Sequence, residues 1–470
     1  MTALSPDQSK ALDMAMDWAE KQPKTWIHCD GASDCPNFPH THGNGQLSPV
    51  FAIGGWAGTG KTTLMRELDP LIPGEAVYGT PTHKASGVLR KKLGEKLRER
   101  VRTYHSLAYL MTPSYRCTDT GKPVSPIKDK CTCKKGEEDA CECPMSFLPC
   151  GAGREHKCRI TQELKAERRL HLGGHRDFVV IDESSMLSRQ QVDDLRMFGV
   201  PVILVGDYGQ LPPIKDAMNP WIMKPDVELT EIHRQGADSG ILQAAHDVRR
   251  HGRMTQSIYG YPKPDTVRMP RSAKAVDDLL MRFNPATDGA LITYTNSLRA
   301  RINQVYHSML VGTEGVGPGD RVLSLGGQPY EVARVKMEGG IPRATGEFLR
   351  VHNGMTGLVV KAHVRGVVTE LTVQLDDHPL ATEKEPVVIL TGACPTAQFG
   401  AATELPFNDP LRPRGTHLWD YAYALTAHKA QGSEFPKVIV ADQQPRDYRR
   451  WMYTAITRAQ EAAVVVDWAA

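Results

Sequence analysis

VFAIGGWAGTGKTTLMREL occupies residues 50–68 and decides the fold. Its apolar start, Val50–Gly54, predicts a buried strand, and its end, Thr63–Leu68, predicts a helix. The glycines between them let backbone N–H groups curl around an anion at a helix N-terminus, as in a phosphate-binding loop. We expect Lys61 to reach the β- and γ-phosphates of a nucleotide and the Thr62 hydroxyl to bind Mg²⁺. The residues expected around the nucleotide are Gly55, Trp56, Ala57, Gly58, Thr59, Gly60, Lys61, Thr62 and Thr63.

Two later strand ends carry polar groups suited to the same nucleotide. FVVIDE at 178–183 is an apolar strand that ends in adjacent carboxylates, which are costly to bury without a partner such as Mg²⁺. We expect Asp182 to hold the metal and Glu183 to polarise the attacking water. A third strand, Pro201–Val205, leads into GDYGQLPP at 206–213, where Gln210 is placed to reach the γ-phosphate.

Further apolar runs alternate with helical patterns along the chain. Such runs predict buried parallel strands with helices on both faces, which is an α/β fold. The 470 residues leave room for roughly three or four domains. The predicted strands are Val50–Gly54, Ala76–Gly79, Phe178–Ile181, Val202–Val205, Ala290–Thr293, Tyr421–Leu425, Lys437–Ala441 and Ala463–Val466.

Composition excludes some classes of protein. Fifty-seven Lys and Arg against 54 Asp and Glu leave a formal charge of +3, so any nucleic-acid site must come from local arrangement of charge. The chain has no apolar run of the roughly 18 residues that a membrane span needs, and its start, MTALSPDQSK, is polar. We therefore expect a soluble, cytoplasmic protein without a membrane partner.

Two stretches lack the alternation of predicted strands and helices. Residues 111–160 are rich in Cys, Gly, Pro and charge and lack apolar periodicity, which predicts an inserted module that is not part of a sheet. Residues 317–415 carry turns between short β-type runs such as Gly357–Lys361 and Glu370–Leu375, which predicts a small all-β insertion.

Nine of the ten cysteines lie in two short stretches, which favours metal binding. In each Cys-x-Cys pair of the larger stretch, the spacing of two puts both thiols on one side of an extended chain. Two such pairs can close a tetrahedral zinc site, and metal would replace the missing apolar core. An iron–sulfur cluster or free, redox-active thiols remain alternatives. The candidate ligands are Cys117, Cys131, Cys133, Cys141, Cys143, Cys150, His156 and Cys158, and in a looser site Cys29, Cys35, His40 and His42.

The order of motifs resembles one family, the superfamily-1 DNA helicases of the RecD and phage Dda type, which translocate 5′ to 3′. Besides the phosphate-binding loop, the resemblance rests on motifs from both halves of the chain. They are LSPDQ at 4–8, GTPTHKA at 79–85, TYHSL at 103–107, DESSM at 182–186, GDYGQ at 206–210, LTEIHRQ at 229–235, TYTN at 293–296, ALTAHKAQGSE at 424–434 and YTAITRA at 453–459.

The resemblance implies two RecA-like motor domains that sandwich ATP. Arg234 and Arg458 match the arginines that neutralise charge on the transferred phosphoryl group. Gln8 matches the adenine-reading glutamine, and Glu434 resembles the ribose-contacting acid. The positions that match contacts to DNA are Thr80, Thr82, His83, Lys84, His105, Asn296, Thr426, His428 and Lys429.

The resemblance also implies a domain order. The first motor domain would comprise 1–107 and 161–225, and the second 226–316 and 416–470. The cysteine-rich segment 108–160 stands where the family inserts its strand-separating pin. Residues 317–415 match the family's small β-barrel, with the turn HNGMTG at 352–357.

Alternatives to this helicase hypothesis stay open. An ATP-switched DNA clamp or loader would bind without unwinding, and an RNA helicase of the same superfamily would grip phosphates similarly. The resemblance implies a monomeric motor acting on single-stranded and forked DNA, with replication, repair or recombination proteins as possible partners. Compact size is typical of a phage or plasmid enzyme.

Overall fold

The computed structural model describes residues 4–22, 47–117, 123–124, 126–127, 146–147, 160–168, 177–231, 239–260, 262–272, 274–285, 287–325, 330–339, 341–376, 386–406, 409–413 and 416–468. Its strands are β1 (Val50–Gly55), β2 (Ala76–Thr80), β3 (Val101–Thr103), β4 (Tyr109–Cys117), β5 (Pro123–Val124), β6 (Pro126–Ile127), β7 (Ser146–Phe147), β8 (Ile160–Arg168), β9 (Phe178–Ile181), β10 (Val202–Gly206), β11 (Val227–Leu229), β12 (Ile258–Tyr259), β13 (Thr266–Pro270), β14 (Gly289–Thr293), β15 (Arg321–Leu325), β16 (Tyr330–Glu338), β17 (Ile341–Val351), β18 (Thr356–Arg365), β19 (Val368–Leu375), β20 (Val388–Pro395), β21 (Leu418–Tyr421), β22 (Ala424–Thr426), β23 (Phe435–Asp442) and β24 (Ala459–Asp467).

The α-helices follow the same chain order. They are α1 (Pro6–Glu20), α2 (Lys61–Leu68), α3 (His83–Leu93), α4 (Glu95–Arg98), α5 (Tyr104–Ala108), α6 (Arg189–Arg196), α7 (Pro220–Met223), α8 (Gly240–His251), α9 (Lys274–Arg282), α10 (Asn296–Leu310), α11 (Ala427–Ala430) and α12 (Tyr448–Ile456). Within the described ranges, no helix combines the length and the apolar character needed to span a bilayer.

Six parallel strands form the first motor sheet, in the order β11-β1-β10-β9-β2-β3. Side chains alternate between the faces of β1: Phe51 and Ile53 pack with α1, α2 and α3, while Ala52 packs with α5, α6 and α7. Helices thus cover both faces, which explains why these strands are apolar throughout. The prediction of buried parallel strands is confirmed here.

The second motor sheet has the order β12-β13-β24-β23-β14-β22, and its pairs are parallel except for β12 with β13. Helices α8 and α12 pack against it through residues such as Val248 and Trp451. The predicted strand Tyr421–Leu425 is divided in the structure. Tyr421 ends β21, which pairs antiparallel with β15, and Ala424 begins β22 of the motor sheet.

A seven-stranded antiparallel sheet lies between the strands of the second motor sheet along the chain. Its order is β17-β16-β20-β19-β18-β15-β21, and its core includes Val359, Val373 and the fully buried Trp419. Its strands fall mainly within the predicted insertion 317–415. In the described part of the sheet β17 and β21 form the two ends of the order, and closure into a barrel stays a prediction.

A second antiparallel unit interrupts the first motor sheet between α5 and β9. Strand β4 pairs along its length with β8, from Tyr109 with Arg168 to Cys117 with Ile160, and β5 adds a third strand. Residues 161–168 pair with β4 in this unit and not with the motor sheet, while the predicted domain boundary at 160/161 stays a prediction. The prediction that 111–160 are not part of a sheet is wrong for the described residues 111–117, 123–124, 126–127, 146–147 and 160, although their sheets are separate from the motor sheet.

Candidate nucleotide-binding cleft and nucleic-acid track

The phosphate-binding loop joins β1 to α2 as the sequence predicts. Gly58 and Gly60 adopt positive φ angles of 83° and 73°, which residues with a Cβ rarely adopt. The Lys61 ammonium donates to the carbonyls of Gly55 and Trp56 at 2.9 and 3.0 Å. The loop therefore curls around its own lysine at the N-terminus of α2, a position where backbone N–H groups commonly bind an anion.

Gln8, in α1, hydrogen-bonds to the backbone of this loop. Its backbone and side chain form a capping box with Ser5, and its buried amide donates to Thr59 O and Gly60 O at 3.1 and 3.3 Å. These contacts link the first helix to the loop backbone. The predicted contact of Gln8 with the adenine edge stays a prediction.

The paired carboxylates stand at the end of β9. Burial, and then repulsion from Glu183, raise the pKa of Asp182 to about 7. Glu183 has a φ of 51°, a strained backbone for a residue with a side chain, and its buried Oε2 has no hydrogen-bond partner within the described part of the chain. An incompletely compensated carboxylate pair is a suitable place for a divalent cation.

Gln210 follows β10 in a loop built around Asp207. The Asp207 side chain accepts from Gly209 N at 2.9 Å, and its carbonyl accepts from Gln210 N at 3.1 Å. Gln210 is 3% exposed, and its buried Oε1 lacks a hydrogen-bond partner within the described ranges. Such an acceptor is available to a water molecule or a phosphate-bound hydroxyl.

The second motor sheet supplies Arg458 from the turn after α12. Its guanidinium donates to Thr454 O at 3.1 Å, Ser433 O at 3.4 Å and Thr457 Oγ1 at 3.2 Å. The side chain is buried, so these neutral acceptors fix its direction and leave its positive charge uncancelled by hydrogen bonding to a carboxylate.

Glu434 lies on the same side of the cleft. Although burial alone would raise it, the pKa of Glu434 is lowered, chiefly by Lys92. Lys92 Nζ pairs with Glu434 Oε1, and Gln460 donates to Oε2 at 2.9 Å. The predicted ribose contact is therefore compatible with the position of Glu434 but stays a prediction.

These groups meet around one cleft with a volume of about 410 Å³. Its lining joins both motor sheets, since it includes Lys61, Thr62, Asp182 and Glu183 from one and Arg458 from the other. Most of the predicted site is thus brought together. Arg234 lies outside the described residues. The lining also includes Gly58, Gly60, Thr63, Gln210 and Glu434.

The residues of the first motor unit that were predicted to contact DNA differ in their burial and hydrogen bonding. Thr80 is fully buried, and its hydroxyl donates to Thr82 O at 2.9 Å and bonds Ser86 Oγ at 2.6 Å. The Thr80 hydroxyl is thus occupied within the turn, and the predicted contact of Thr80 with DNA stays a prediction. Thr82 caps α3 by accepting from Ala85 N at 3.1 Å, and His83 is the first residue of that helix.

His83 also contacts the antiparallel sheet. Its ring stacks on that of His352 with centroids 3.4 Å apart, next to the turn at 352–357. Burial, and then the charge of His352, lower the pKa of His83 to about 3. On the same unit, Lys84 lies 6.0 Å from the ring centre of Phe435 in the second motor sheet, and His105 packs against Tyr109.

The second set of predicted DNA contacts lies around the ends of β14 and β22. Asn296 begins α10 and is exposed, whereas Thr426 is 8% exposed and caps α11. Burial lowers the pKa of His428 and is the largest influence lowering that of Lys429, whose Nζ lies 3.8 Å from Glu404. Contacts of these residues with nucleic acid stay predictions.

Sequence reasoning missed a buried cluster behind the cleft. Arg249, from α8, pairs with Asp207, and Tyr453, from α12, donates to Asp207 Oδ2 at 2.5 Å. The three residues are far apart in the chain, so no local pattern could have revealed them. The run VRRHG at 248–252 reads as a basic helix end, which is typical of a solvated helix terminus.

Most of the predicted zinc ligands lie outside the described residues. Among the described residues no group of three His, Cys, Asp or Glu side chains is arranged to hold a metal ion. The predicted ligands outside the described residues are Cys29, Cys35, His40, His42, Cys131, Cys133, Cys141, Cys143, Cys150, His156 and Cys158, while Cys117 ends β4.

Sequence comparison matches both motor units. Residues 45–270 match the AAA domain family, and residues 421–466 match the UvrD-like helicase C-terminal domain family. The ATP-dependent RecD2 DNA helicase of Deinococcus radiodurans is 29% identical over 298 residues, covering 61% of this chain and 35% of that protein. The chain thus spans about a third of the length of this relative.

Solved structures resemble the fold at lower identity. A Pif1 helicase from Bacteroides in complex with ADP-AlF3 and ssDNA shares 17% identity, with 99% of this chain and 93% of that chain covered and a TM-score of 0.45. A Pif1 helicase from Candida albicans shares 14% identity, with 99% and 95% covered and a TM-score of 0.41.

Proposed function

We propose that the chain is a superfamily-1 helicase of the RecD type and that it acts as an ATP-dependent helicase on single-stranded DNA. The observation that carries the proposal is the shared cleft. Lys61, Asp182 and Gln210 reach it from the first motor sheet, and Arg458 reaches it from the second. Hydrolysis of a nucleotide in such a cleft would depend on how the two sheets approach each other.

Each group has a role that its surroundings support. Lys61 would leave its loop carbonyls to bind the β- and γ-phosphates, while Thr62 and Asp182 would hold the Mg²⁺ that arrives with ATP. Glu183 would accept a proton from the attacking water, for which its unpartnered Oε2 is suited. Gln210 would orient that water or the γ-phosphate.

Arg458 would act on charge that develops during the reaction. Its three hydrogen bonds go to neutral oxygens, so the guanidinium can neutralise the transferred phosphoryl group without first losing a carboxylate partner. Arg234 would supply a second such charge.

The DNA track would cross both motor units on the side of Thr82, His83, Asn296 and His428. Hydroxyls, backbone amides and imidazoles suit phosphate binding without reading sequence, which a motor that steps over any sequence requires. We propose translocation 5′ to 3′ and opening of forked duplexes, in line with the RecD type.

We propose a domain division adjusted to the observed strands. Residues 1–108 and 177–225 form the first motor domain, with an inserted unit from β4 through β8. Residues 226–316 and 416–470 form the second, interrupted by the antiparallel sheet, which would be the family's small barrel. The inserted unit would act as the pin or wedge that separates strands.

Zinc would stiffen that wedge through the cysteines from Cys117 to Cys158. The support is their density and the two Cys-x-Cys pairs, since few apolar residues are available there to form a core. Cys131→Ser with Cys133→Ser should lose metal and unwinding while keeping much of the DNA-stimulated ATPase. Purified protein with full unwinding and no metal would refute the zinc site, and absorption near 400 nm would indicate an iron–sulfur cluster instead.

ATP turnover measured with and without single strands tests the proposal. We expect single-stranded DNA to stimulate phosphate release several-fold and RNA of the same sequence to stimulate it less. Stimulation by RNA alone would favour an RNA helicase, and stimulated turnover without unwinding would favour a clamp or loader. A pull-down with replication and recombination proteins would test whether the protein binds them. Analytical ultracentrifugation would test whether it is a monomer in solution.

A further inference from the structure

The buried cluster behind the cleft connects the two motor units at the residues that would perform hydrolysis. Arg249 belongs to α8, which packs on the second motor sheet, yet the partners of its guanidinium include three residues of the first motor unit. Nη1 donates to Asp207 Oδ1, and the guanidinium lies 4.4 Å from the ring centres of both Trp56 and Tyr208. Trp56 is part of the phosphate-binding loop itself.

Tyr453 joins the same two loops from α12. Its hydroxyl accepts from Ala57 N in the phosphate-binding loop at 2.8 Å and donates to Asp207 Oδ2 at 2.5 Å. Burial, and then the charge of Asp207, raise the pKa of Tyr453 well above its usual value, so the phenol keeps the proton that it donates. Five residues further along the chain, Arg458 reaches the cleft.

Gln210 is held between two such attachments. Asp207 precedes it and is bound by Arg249 and Tyr453, while Leu211 follows it and is bound by Thr454 and Gln431. Leu211 N donates to Thr454 Oγ1 at 3.0 Å, and Gln431 Nε2 donates to Leu211 O at 3.0 Å. The backbone that presents Gln210 therefore takes its position from the second motor unit on both sides.

The ionic pair suits a contact that forms and breaks. Asp207 is fully buried and Arg249 is 8% exposed, so forming the pair removes both charges from water, and that cost offsets much of their attraction. Separation of the motor units would return both charges to water. The net free energy of the pair is therefore smaller than its bare attraction. The hydrogen bond from Ala57 N to the Tyr453 hydroxyl extends the contact to the phosphate-binding loop.

We propose that Arg249 and Tyr453 are positioning residues that align Gln210 and the phosphate-binding loop with Arg458 when the two motor units close. Neither residue touches the nucleotide in this proposal. It rests on the proposed ATPase function and adds the residues through which closure controls turnover.

Tyr453→Phe is the sharpest test, because it keeps the buried ring beside Arg249 and removes only the hydroxyl. We expect kcat of the DNA-stimulated ATPase to fall about tenfold or more, since small misplacements of catalytic groups cost that much, while KM for ATP changes less than about threefold. The matched control is Tyr423→Phe, which removes a similar bond, 2.6 Å from a buried tyrosine to Asp320, away from the cleft.

Two further readouts separate positioning from stability. If Tyr453 acts partly through Gln210, kcat of the double variant Tyr453→Phe with Gln210→Ala should fall by less than the product of the two single effects. Arg249→Lys keeps the positive charge but replaces the planar guanidinium by a single ammonium group. It should reproduce the fall in kcat although Tyr453 is unchanged. Melting temperatures show whether the variants are as folded as Tyr423→Phe.

The outcomes are distinct. A wild-type protein without DNA-stimulated turnover would refute the proposed function and the inference with it. Stimulated wild-type turnover with equal kcat in Tyr453→Phe and Tyr423→Phe would overturn the inference alone. So would a fall in kcat that matches the loss of folded protein, or fully additive effects of Tyr453→Phe and Gln210→Ala.

Discussion

Arg458→Ala should separate nucleotide binding from hydrolysis. In the folded protein the substitution removes three hydrogen bonds, to Thr454 O, Ser433 O and Thr457 Oγ1. At roughly 1.5–3 kcal/mol for each hydrogen bond of a charged group their loss would cost several kcal/mol, and removing a buried charge offsets part of that cost. We therefore expect the variant to stay folded.

The effect on the reaction should be larger. A preorganised charge directed at a transition state is typically responsible for about a hundred- to a thousandfold of kcat. Because the hydrogen-bond acceptors of Arg458 within the described part of the chain are neutral oxygens, we expect nearly all of that factor to be lost on truncation. Binding of a fluorescent ATP analogue should change less than about threefold, since ground-state contacts of Lys61 and Thr62 remain.

The assay is steady-state phosphate release at saturating single-stranded DNA over a range of ATP concentrations. Arg458→Lys is the control, because it keeps a positive charge but offers a single ammonium in place of a planar fork. We expect Arg458→Lys to fall between the parent and Arg458→Ala. A raised KM with unchanged kcat in Arg458→Ala would refute the transition-state role and mark the arginine as a ground-state contact.

Three shorter predictions follow from other contacts. Lys61→Ala should lower ATP turnover about a hundredfold or more in the same assay, and more than a tenth of parental turnover would contradict the phosphate-binding role. Gly432→Ala should lower the melting temperature more than Gly366→Ala: both have positive φ, but only at Gly432 would the new Cβ approach Ala85 Cβ, to 2.7 Å. Since the pKa of His83 falls from 6.5 to about 3 on folding, the unfolded chain binds more protons. Stability should decrease as pH falls below 6.5, by at most about 2 kcal/mol at pH 5, and His83→Asn should flatten this dependence in thermal melts; an unchanged slope would contradict it.

The parts of this site that could be predicted from the sequence are those that depend on residues close together in the chain. The phosphate-binding loop needs glycines, a lysine, and a flanking strand and helix within about 20 residues. It can therefore be recognised from a short continuous stretch of sequence. Asp182 and Glu183 were predictable for a similar reason, because charges that end an apolar run require a partner. The parallel strands were predictable from their apolar composition.

Contacts between distant parts of the chain were not predictable. Arg249 pairs with Asp207 across 42 positions and Tyr453 with Asp207 across 246, and nothing in their immediate neighbours indicates it. Thr80 belongs to a motif in which 81–84 are partly exposed, and only the packed turn shows that its own hydroxyl is buried. Strand β8 has no regular alternation of polar and apolar residues, and its pairing with β4 depends on partners more than 40 positions away.

Unwinding of two matched DNA substrates tests the central claim most directly. Each carries the same duplex, with a single-stranded tail at the 5′ side of one and the 3′ side of the other. We predict that the protein opens the 5′-tailed substrate in the presence of Mg²⁺ and ATP, leaves the 3′-tailed one closed, and opens neither with Lys61→Ala. Hydrolysis of ATP on both substrates with neither duplex opened would contradict the claim.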